Sequence, residues 1–232
     1  WKGDELFLSI IKNGNRQFFS MKLSYVNGRL IEAVYDTVPC FITERLILRP
    51  WHMEDVEDLF KYAKDPDIGL SAGWKPHKDV GESMEVIENV FMKPGVYAIV
   101  YKETNEVIGS IGLHAGSKKS RGLGADENQA EIGYWIAKPY WGRGLIPEAA
   151  KELVEFGFLE LGLNRIWIAY FDGNHKSKRV AEKLGFTYSH FAENVEVEAL
   201  GETKKEHYMV LNREEFDEAI KLKYRPLLAQ RS

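Results

Sequence analysis

The stretch Glu131 to Ile146, EIGYWIAKPYWGRGLI, restricts the fold of this chain more than any other. Glu131 to Ala137 is short, apolar and rich in aromatic residues, the composition of a buried strand. Lys138-Pro139 stops it, because proline cannot donate to a sheet ladder. Trp141-Gly142-Arg143-Gly144 turns the chain, and Pro147 then falls in a first helical turn, where proline is tolerated. From Ile146 the apolar residues Ala149, Ala150, Leu153, Val154, Gly157, Phe158 and Leu161 recur at offsets of three and four, while Glu148, Lys151, Glu152, Glu155 and Glu160 fill the other face. This predicts an amphipathic helix packed on a sheet. Two readings of the glycine turn stand side by side. It is a tight strand-to-helix connection, or it is an anion cradle in which small residues expose the unpaired N–H groups of a helix start.

The 232 residues imply one full domain with an appendage. A net charge of −4 gives no general attraction to nucleic acid or anionic membranes. The basic run Lys118-Lys119-Ser120-Arg121 reads as a solvated loop. The lone Cys40 forms no internal disulfide, and a reducing, cytoplasmic setting is the expectation. No apolar run reaches the length of a membrane span. The six histidines lack paired spacings such as His-x-His, so no metal site is expected.

Residues 1–38 differ from the rest. Asn13-Gly14 and Asn27-Gly28 separate three segments, which predicts an accessory three-stranded β-meander, with the main domain over 39–232. Three short strands bury little surface, so the meander is expected to lean on a sheet edge or form a dimer contact; a homodimer is one arrangement this permits. In the main domain, the pattern predicts a first strand over 42–49, a helix over 55–64, a loop over 68–81 and a second helix over 82–92. A hairpin of 96–101 and 107–113 follows, then a polar loop over 117–128, the central strand and helix, and a strand over 164–170. The chain closes with a helix over 175–184 stopped by Gly185, strands over 186–191 and 207–211 joined by an acidic loop 193–206, and a helix over 214–222. Hairpins leading into a strand–helix–strand–helix unit indicate an α+β fold with a mixed sheet.

Taken together, these pieces resemble a known family. Pro139-Tyr-Trp-Gly-Arg-Gly-Leu-Ile-Pro-Glu-Ala149, then Asn174-His-Lys-Ser177 and Glu182-Lys-Leu-Gly-Phe186, are similar to the GNAT acetyltransferases. Thr43-Glu-Arg-Leu-Ile-Leu-Arg-Pro50 and Glu131-Ile-Gly-Tyr-Trp135 resemble the Rim-type branch, which contains ribosomal-protein N-terminal acetyltransferases. The resemblance covers about residues 41–216. It implies the GNAT fold: a mixed, mostly antiparallel sheet flanked by helices, with a cofactor cleft between two splayed central strands.

It also implies acetyl-CoA as co-substrate. The family pattern Gln/Arg-x-x-Gly-x-Gly/Ala falls on Trp141-Gly142-Arg143-Gly144-Leu145-Ile146, whose backbone N–H groups would hold the pyrophosphate. Only Gly144 matches: Trp141 replaces Gln/Arg, and Ile146 replaces the small sixth residue. The pantetheine arm would pair with backbone near Trp135, Ile136 and Ala137. Asn174 and Ser177 match coenzyme A contacts, although Asn174 also reads as an N-cap and Ser177 as a helix-start residue.

For the chemistry, an ammonium must lose a proton, and the departing thiolate needs an acid. The family's acid is a tyrosine three residues before Leu-Gly-Phe; here that position is Ala181, and Ser177 is the expected substitute. Glu131 is the candidate base, acting through water, against the plainer reading of a strand-end carboxylate in an ion pair. Trp74 and His77 are the candidate acceptor-side residues. The expected acceptor is a small-molecule amine or a protein N-terminus. The alternative is a binding module that senses acyl-CoA or serves assembly with little turnover.

Overall fold

In the computed structural model, residues 17–26, 29–115 and 128–219 are described. Strands β1 (Gln17–Val26) and β2 (Arg29–Pro39) pair antiparallel with Val26 opposite Arg29, as the Asn27-Gly28 pair predicts. They form a two-stranded sheet of their own and do not extend the main sheet. The expected third meander strand lies outside the described residues.

The main sheet has eight strands in the order β3-β4-β5-β6-β7-β8-β10-β9. These are β3 (Phe41–Ile42), β4 (Leu46–Arg49), β5 (Val96–Tyr101), β6 (Glu106–Ala115), β7 (Gln129–Ile136), β8 (Arg165–Phe171), β9 (Thr187–Val197) and β10 (Glu202–Asn212). Every ladder is antiparallel except β7 with β8. The expected mixed α+β sheet is therefore present, and one parallel pair lies near its centre.

The helices are α1 (Val56–Ala63), α2 (Pro66–Ala72), α3 (Val80–Val86), α4 (Leu145–Leu159), α5 (His175–Lys183) and α6, residues 213–219. The chain continues from α3 through a π-helical turn, Ile87–Phe91. Side-chain alternation on β7 sorts these helices between the two sheet faces. Trp135 points to the α2 side, where it meets Trp74 edge-on at 6.1 Å. Tyr134 points to the opposite side and reaches α5. On that second face Gly157 of α4 lies so close to Ile166 and Leu113 that an added Cβ would fall 2.9 Å from Ile166 Cδ1. Phe158 of α4 stacks there on Phe216 of α6, with centroids 4.7 Å apart. The fully buried Leu153, Phe158, Ile111, Ile132, Ile166 and Ile168 make the core between α4 and the sheet.

Three expectations are corrected. The strand over 42–49 is broken at Thr43, whose Oγ1 accepts from Leu46 N–H at 2.9 Å while its own N–H donates to Leu46 O, folding a tight turn between β3 and β4. The loop over 68–81 contains α2. Asp65 caps that helix through Asp67 N–H, Pro66 occupies its first position, and Gly73 closes it in the left-handed conformation at φ 90°. The acidic loop 193–206 is mostly strand, with a turn at 198–201 closed by Gly201 at φ 70°. Glu193 and Glu196 sit on the edge strand β9, where charge is compatible with pairing: Lys205 of β10 meets Glu193 at 3.0 Å. The basic run 118–121 and the end of the closing helix lie outside the described residues.

Candidate functional site

The cleft starts where the parallel pair ends. β7 and β8 are in register only from Gln129↔Arg165 to Glu131↔Trp167, after which the strands part. Ala137 N–H donates to Ile108 O at 2.8 Å, and the β6–β7 register runs without a shift. Alternation therefore turns the backbone groups of Trp135 and Ala137 towards β6 and those of Tyr134 and Ile136 towards the gap. Trp135 and Ala137 are thus not available to pair with an extended ligand as expected. Ile136 offers its N–H alone, because its carbonyl accepts from Trp141 Nε1 at 2.8 Å. Tyr134 offers both groups.

The gap opens into a cleft of about 1230 Å³. One end is the glycine turn. Gly142 and Gly144 both have φ 76°, a conformation that favours glycine. A Cβ added at Gly142 would meet nothing within 4 Å. Gly144 caps α4, so the N–H groups of Leu145 and Ile146 open towards the cleft without intrahelical acceptors. Pro147 has no N–H to contribute. The bulky side chain of Ile146 is 5% exposed, packed into the core, so it leaves the approach to its backbone clear. Trp141 does not imitate a polar residue at its position. It braces the turn: its ring carries Lys176 Nζ at 3.4 Å from the centroid, while its N–H holds Ile136. Arg143, unlike Trp141, does not line the cleft. Its guanidinium lies over Tyr140, and its carbonyl accepts from Arg45 at 3.0 Å.

Arg45 is a residue that sequence reasoning missed. Its Nε donates to Glu148 Oε2 at 2.7 Å and its backbone N–H to Oε1 at 2.8 Å, with Thr43 Oγ1 adding a bond of 2.5 Å. Burial alone would raise the Glu148 pKa, but these bonds outweigh it and hold the group below the ordinary value. The β3–β4 turn thus clamps the first turn of α4 and the glycine loop together. The sequence signal was present in Thr43-Glu-Arg45, but its partner lies 103 residues away.

The other wall is α5. Asn174 caps it, accepting from Ser177 N–H at 3.1 Å, and its amide nitrogen reaches Ser71 O of α2 at 3.5 Å, spanning the mouth. Ser177 is 9% exposed, and its Oγ lies 2.7 Å from the Tyr134 hydroxyl. Burial pushes the Tyr134 phenol up to about 12, against a smaller opposing effect from the Ser177 hydrogen bond, so it keeps its proton at neutral pH. Tyr134 is the second missed residue. Strand alternation showed that it faced away from Trp135, but not that α5 would meet it one helical turn before Ala181.

Glu131 lines the cleft floor, half-buried. Burial, and then the Glu206 carboxylate of β10, push it up to about 7. That is the range in which a carboxylate can exchange a proton at neutral pH. The ion-pair reading of Glu131 finds no support, since neither it nor Glu206 has a cation at ion-pair distance among the described residues. Trp74 stands behind Trp135, and His77 is 8% exposed, with Nδ1 2.8 Å from Ser83 Oγ and its backbone N–H donating to Ala63 O. Neither lines the cleft, so His77 is a packing residue and Trp74 a second layer. No metal-holding cluster is found among the described residues, and no described helix is long and apolar enough to cross a membrane.

An eight-stranded mixed sheet, parted at its one parallel pair and leading onto a glycine turn and open helix start, defines an acyltransferase class of fold. The chain belongs to the GNAT acetyltransferases: residues 45–187 match the acetyltransferase (GNAT) domain. It is 32% identical over 149 residues to the uncharacterized N-acetyltransferase p20 of Bacillus licheniformis, covering 62% of this chain and 80% of that protein. The GNAT-family acetyltransferase structure from Bacillus anthracis superimposes with a TM-score of 0.65 at 22% identity, over 75% of this chain and 99% of that one. The ribosomal-protein-S5-alanine acetyltransferase of Vibrio fischeri gives a TM-score of 0.58 at 19% identity, over 75% and 96%, and shows the shared fold alone.

Proposed function

We propose that the chain transfers an acetyl group from acetyl-CoA to a primary amine by direct attack in a ternary complex. The observation that carries this reading is the track from the Tyr134 backbone and the Ile136 N–H to the donors of the glycine turn. An extended thioester arm ending in a pyrophosphate matches that track in chemistry. The backbone of Gly142, Gly144, Leu145 and Ile146 would hold the phosphates, Asn174 would contact the coenzyme, and the free edge of β7 would hold the arm. When bound, acetyl-CoA supplies the activated acetyl carbon.

This chain's residues supply the proton chemistry. Glu131 takes a proton from the acceptor ammonium, directly or through water. The C–N bond forms as the C–S bond breaks, the Tyr134–Ser177 hydroxyl pair donates a proton to the departing sulfur, and the second proton lost by the nitrogen returns through solvent to restore the pair. A protonated phenol beside Ser177 makes up for the tyrosine missing at Ala181, and so favours turnover over a binding-only role. The acceptor is a small-molecule amine or a protein N-terminus. The second draws on the relative YdaF of Bacillus subtilis, whose name contains the words ribosomal N-acetyltransferase and which is 50% identical over 58 residues, 32% of its length.

The test is calorimetric titration with acetyl-CoA of the native chain, Gly142→Asn and Gly142→Asp. Both side chains tolerate the left-handed conformation. The asparagine variant should bind within a few-fold of native, and the aspartate variant about tenfold or more weaker, because its charge opposes the phosphates. Equal binding by both variants would remove the glycine turn from the site, and absence of binding by the native chain would remove the reading.

A further inference from the structure

The cleft is lined from both faces of the sheet, and of the second face the reading above uses only Glu131. On the other face of the sheet, Glu131 and Trp135 of β7, Phe171 of β8 and Glu206 of β10 all line the same cavity. Alternation puts them together. Gln129 and Trp167 share this face, as their 3.0 Å hydrogen bond shows; Glu131 and Trp135 follow Gln129 at even spacing, Phe171 follows Trp167, and Glu206 is directly opposite Phe171. The nearby cations are already engaged. Lys204 meets Glu202 at 3.2 Å and lies over the Phe171 ring, and Lys205 meets Glu193. Glu206 accepts from the Tyr208 hydroxyl at 2.6 Å, which orients it without neutralising it.

A second, independent observation points to an occupant. The Trp135 indole Nε1 is buried in a side chain 7% exposed and has no hydrogen-bond partner. A buried donor without a partner is rare and costly in a folded protein. So this face presents two carboxylates without an ion-pair partner beside apolar surface, and Trp135 brings a buried, unpartnered donor to its wall.

We infer that this face is the acceptor pocket, and that Glu206 is its specificity-determining residue: it admits amines that arrive as cations and excludes amines carrying a carboxylate beside the ammonium. The inference rests on the acetyl-transfer reading and adds to it the charge class of the acceptor. Glu206 makes no covalent contribution. It raises the local concentration of the ammonium and holds it while Glu131 removes the proton. An amide carbonyl beside the amine carries no charge and is tolerated there. A carboxylate in that place would meet two like charges in a cleft of reduced polarity, where repulsion is strong.

The experiment compares amino acid amides with the corresponding free amino acids, as several matched pairs, for the native chain and Glu206→Gln, with acetyl-CoA affinity measured separately by calorimetry. The glutamine is isosteric and still accepts from Tyr208. The native chain should favour the amide of each pair by about tenfold or more in kcat/KM. Glu206→Gln should raise the amide KM about tenfold, narrow the preference and leave the acetyl-CoA Kd unchanged. Equal use of both members of the pairs, an unchanged amide KM in the variant, or acetyl-CoA binding with no pair acetylated would each overturn the inference while leaving acetyl-CoA recognition intact. Failure of the native chain to bind acetyl-CoA would instead overturn the reading beneath it.

Discussion

At the scale of single residues, the Tyr134–Ser177 pair separates what sequence spacing shows from what packing adds. Ser177 was legible from its place after Asn174 in the first turn of α5. Tyr134 was not, since its neighbour Trp135 carries the same strand signal and a strand pattern says nothing about which helix covers which face. The phenol is kept protonated by burial and sits 2.7 Å from Ser177 Oγ. Tyr134→Phe should lower kcat by about 10²-fold with little change in the acetyl-CoA KM, within the usual range for a lost general acid. Ser177→Ala should cost a comparable factor, and the double variant little more, because the two hydroxyls act as one unit. The defect should shrink with acetyl thioesters of more acidic thiols, which need less help to leave; a defect equal for all thioesters would mark Tyr134 as merely structural.

At the scale of elements, α4 and its glycine turn were readable from local pattern alone, because proline, glycine and helical periodicity are local signals. What holds that element in place was not. Arg45 ties the β3–β4 turn to Glu148 and to the Arg143 carbonyl, so one side chain fixes both the start of α4 and the conformation of the loop before it. Arg45 is partly exposed, which limits its contribution to overall stability. Arg45→Ala should lower stability by about 1 kcal/mol, a fall of about 2–4 °C in Tm for a chain of this size. It should weaken acetyl-CoA binding several-fold more than Lys151→Ala, which removes only an i,i+4 pair further along the same helix. Equal affinities in the two variants would show that the clamp does not position the turn. α2 shows how a short helix hides in a loop-like sequence: its cap, proline and closing glycine were all present, but seven residues carry too little periodicity to announce themselves.

At the scale of the whole molecule, Glu131 couples the cleft to folding. In the folded chain its pKa is raised to about 7 from an ordinary 4.5, by burial first and by Glu206 second. The titratable groups around it are Glu206, beyond β8, and His114, its cross-strand neighbour on β6. A raised carboxyl pKa means that the folded state holds the proton more tightly than the unfolded state. The contribution of Glu131 to stability is therefore lost as pH rises from about 4.5 through 7. Glu131→Gln cannot ionise, so it should be the more stable protein at pH 8, by up to about 3 kcal/mol, and should match the native chain near pH 4. Denaturant unfolding at the two pH values measures this, and an equal gap at both would rule out the linkage. The same variant should lose most acetyl transfer, placing function and stability in opposition at this position.

The sequence by itself determined the class of fold, the strand–turn–helix at its centre, the pairing of β1 with β2 and the candidates Glu131, Gly142, Gly144, Asn174 and Ser177. All of these follow from local pattern, turn chemistry and family spacing, which act over a few residues. Only the tertiary structure decided that Tyr134 meets Ser177, that Arg45 clamps Glu148, that Ala137, Arg143 and His77 turn away from the cleft, and that Glu131 and Glu206 share one floor. Those outcomes depend on where β7 and β8 part and on which sheet face each helix covers, and side chains that far apart in the chain are brought together by packing alone.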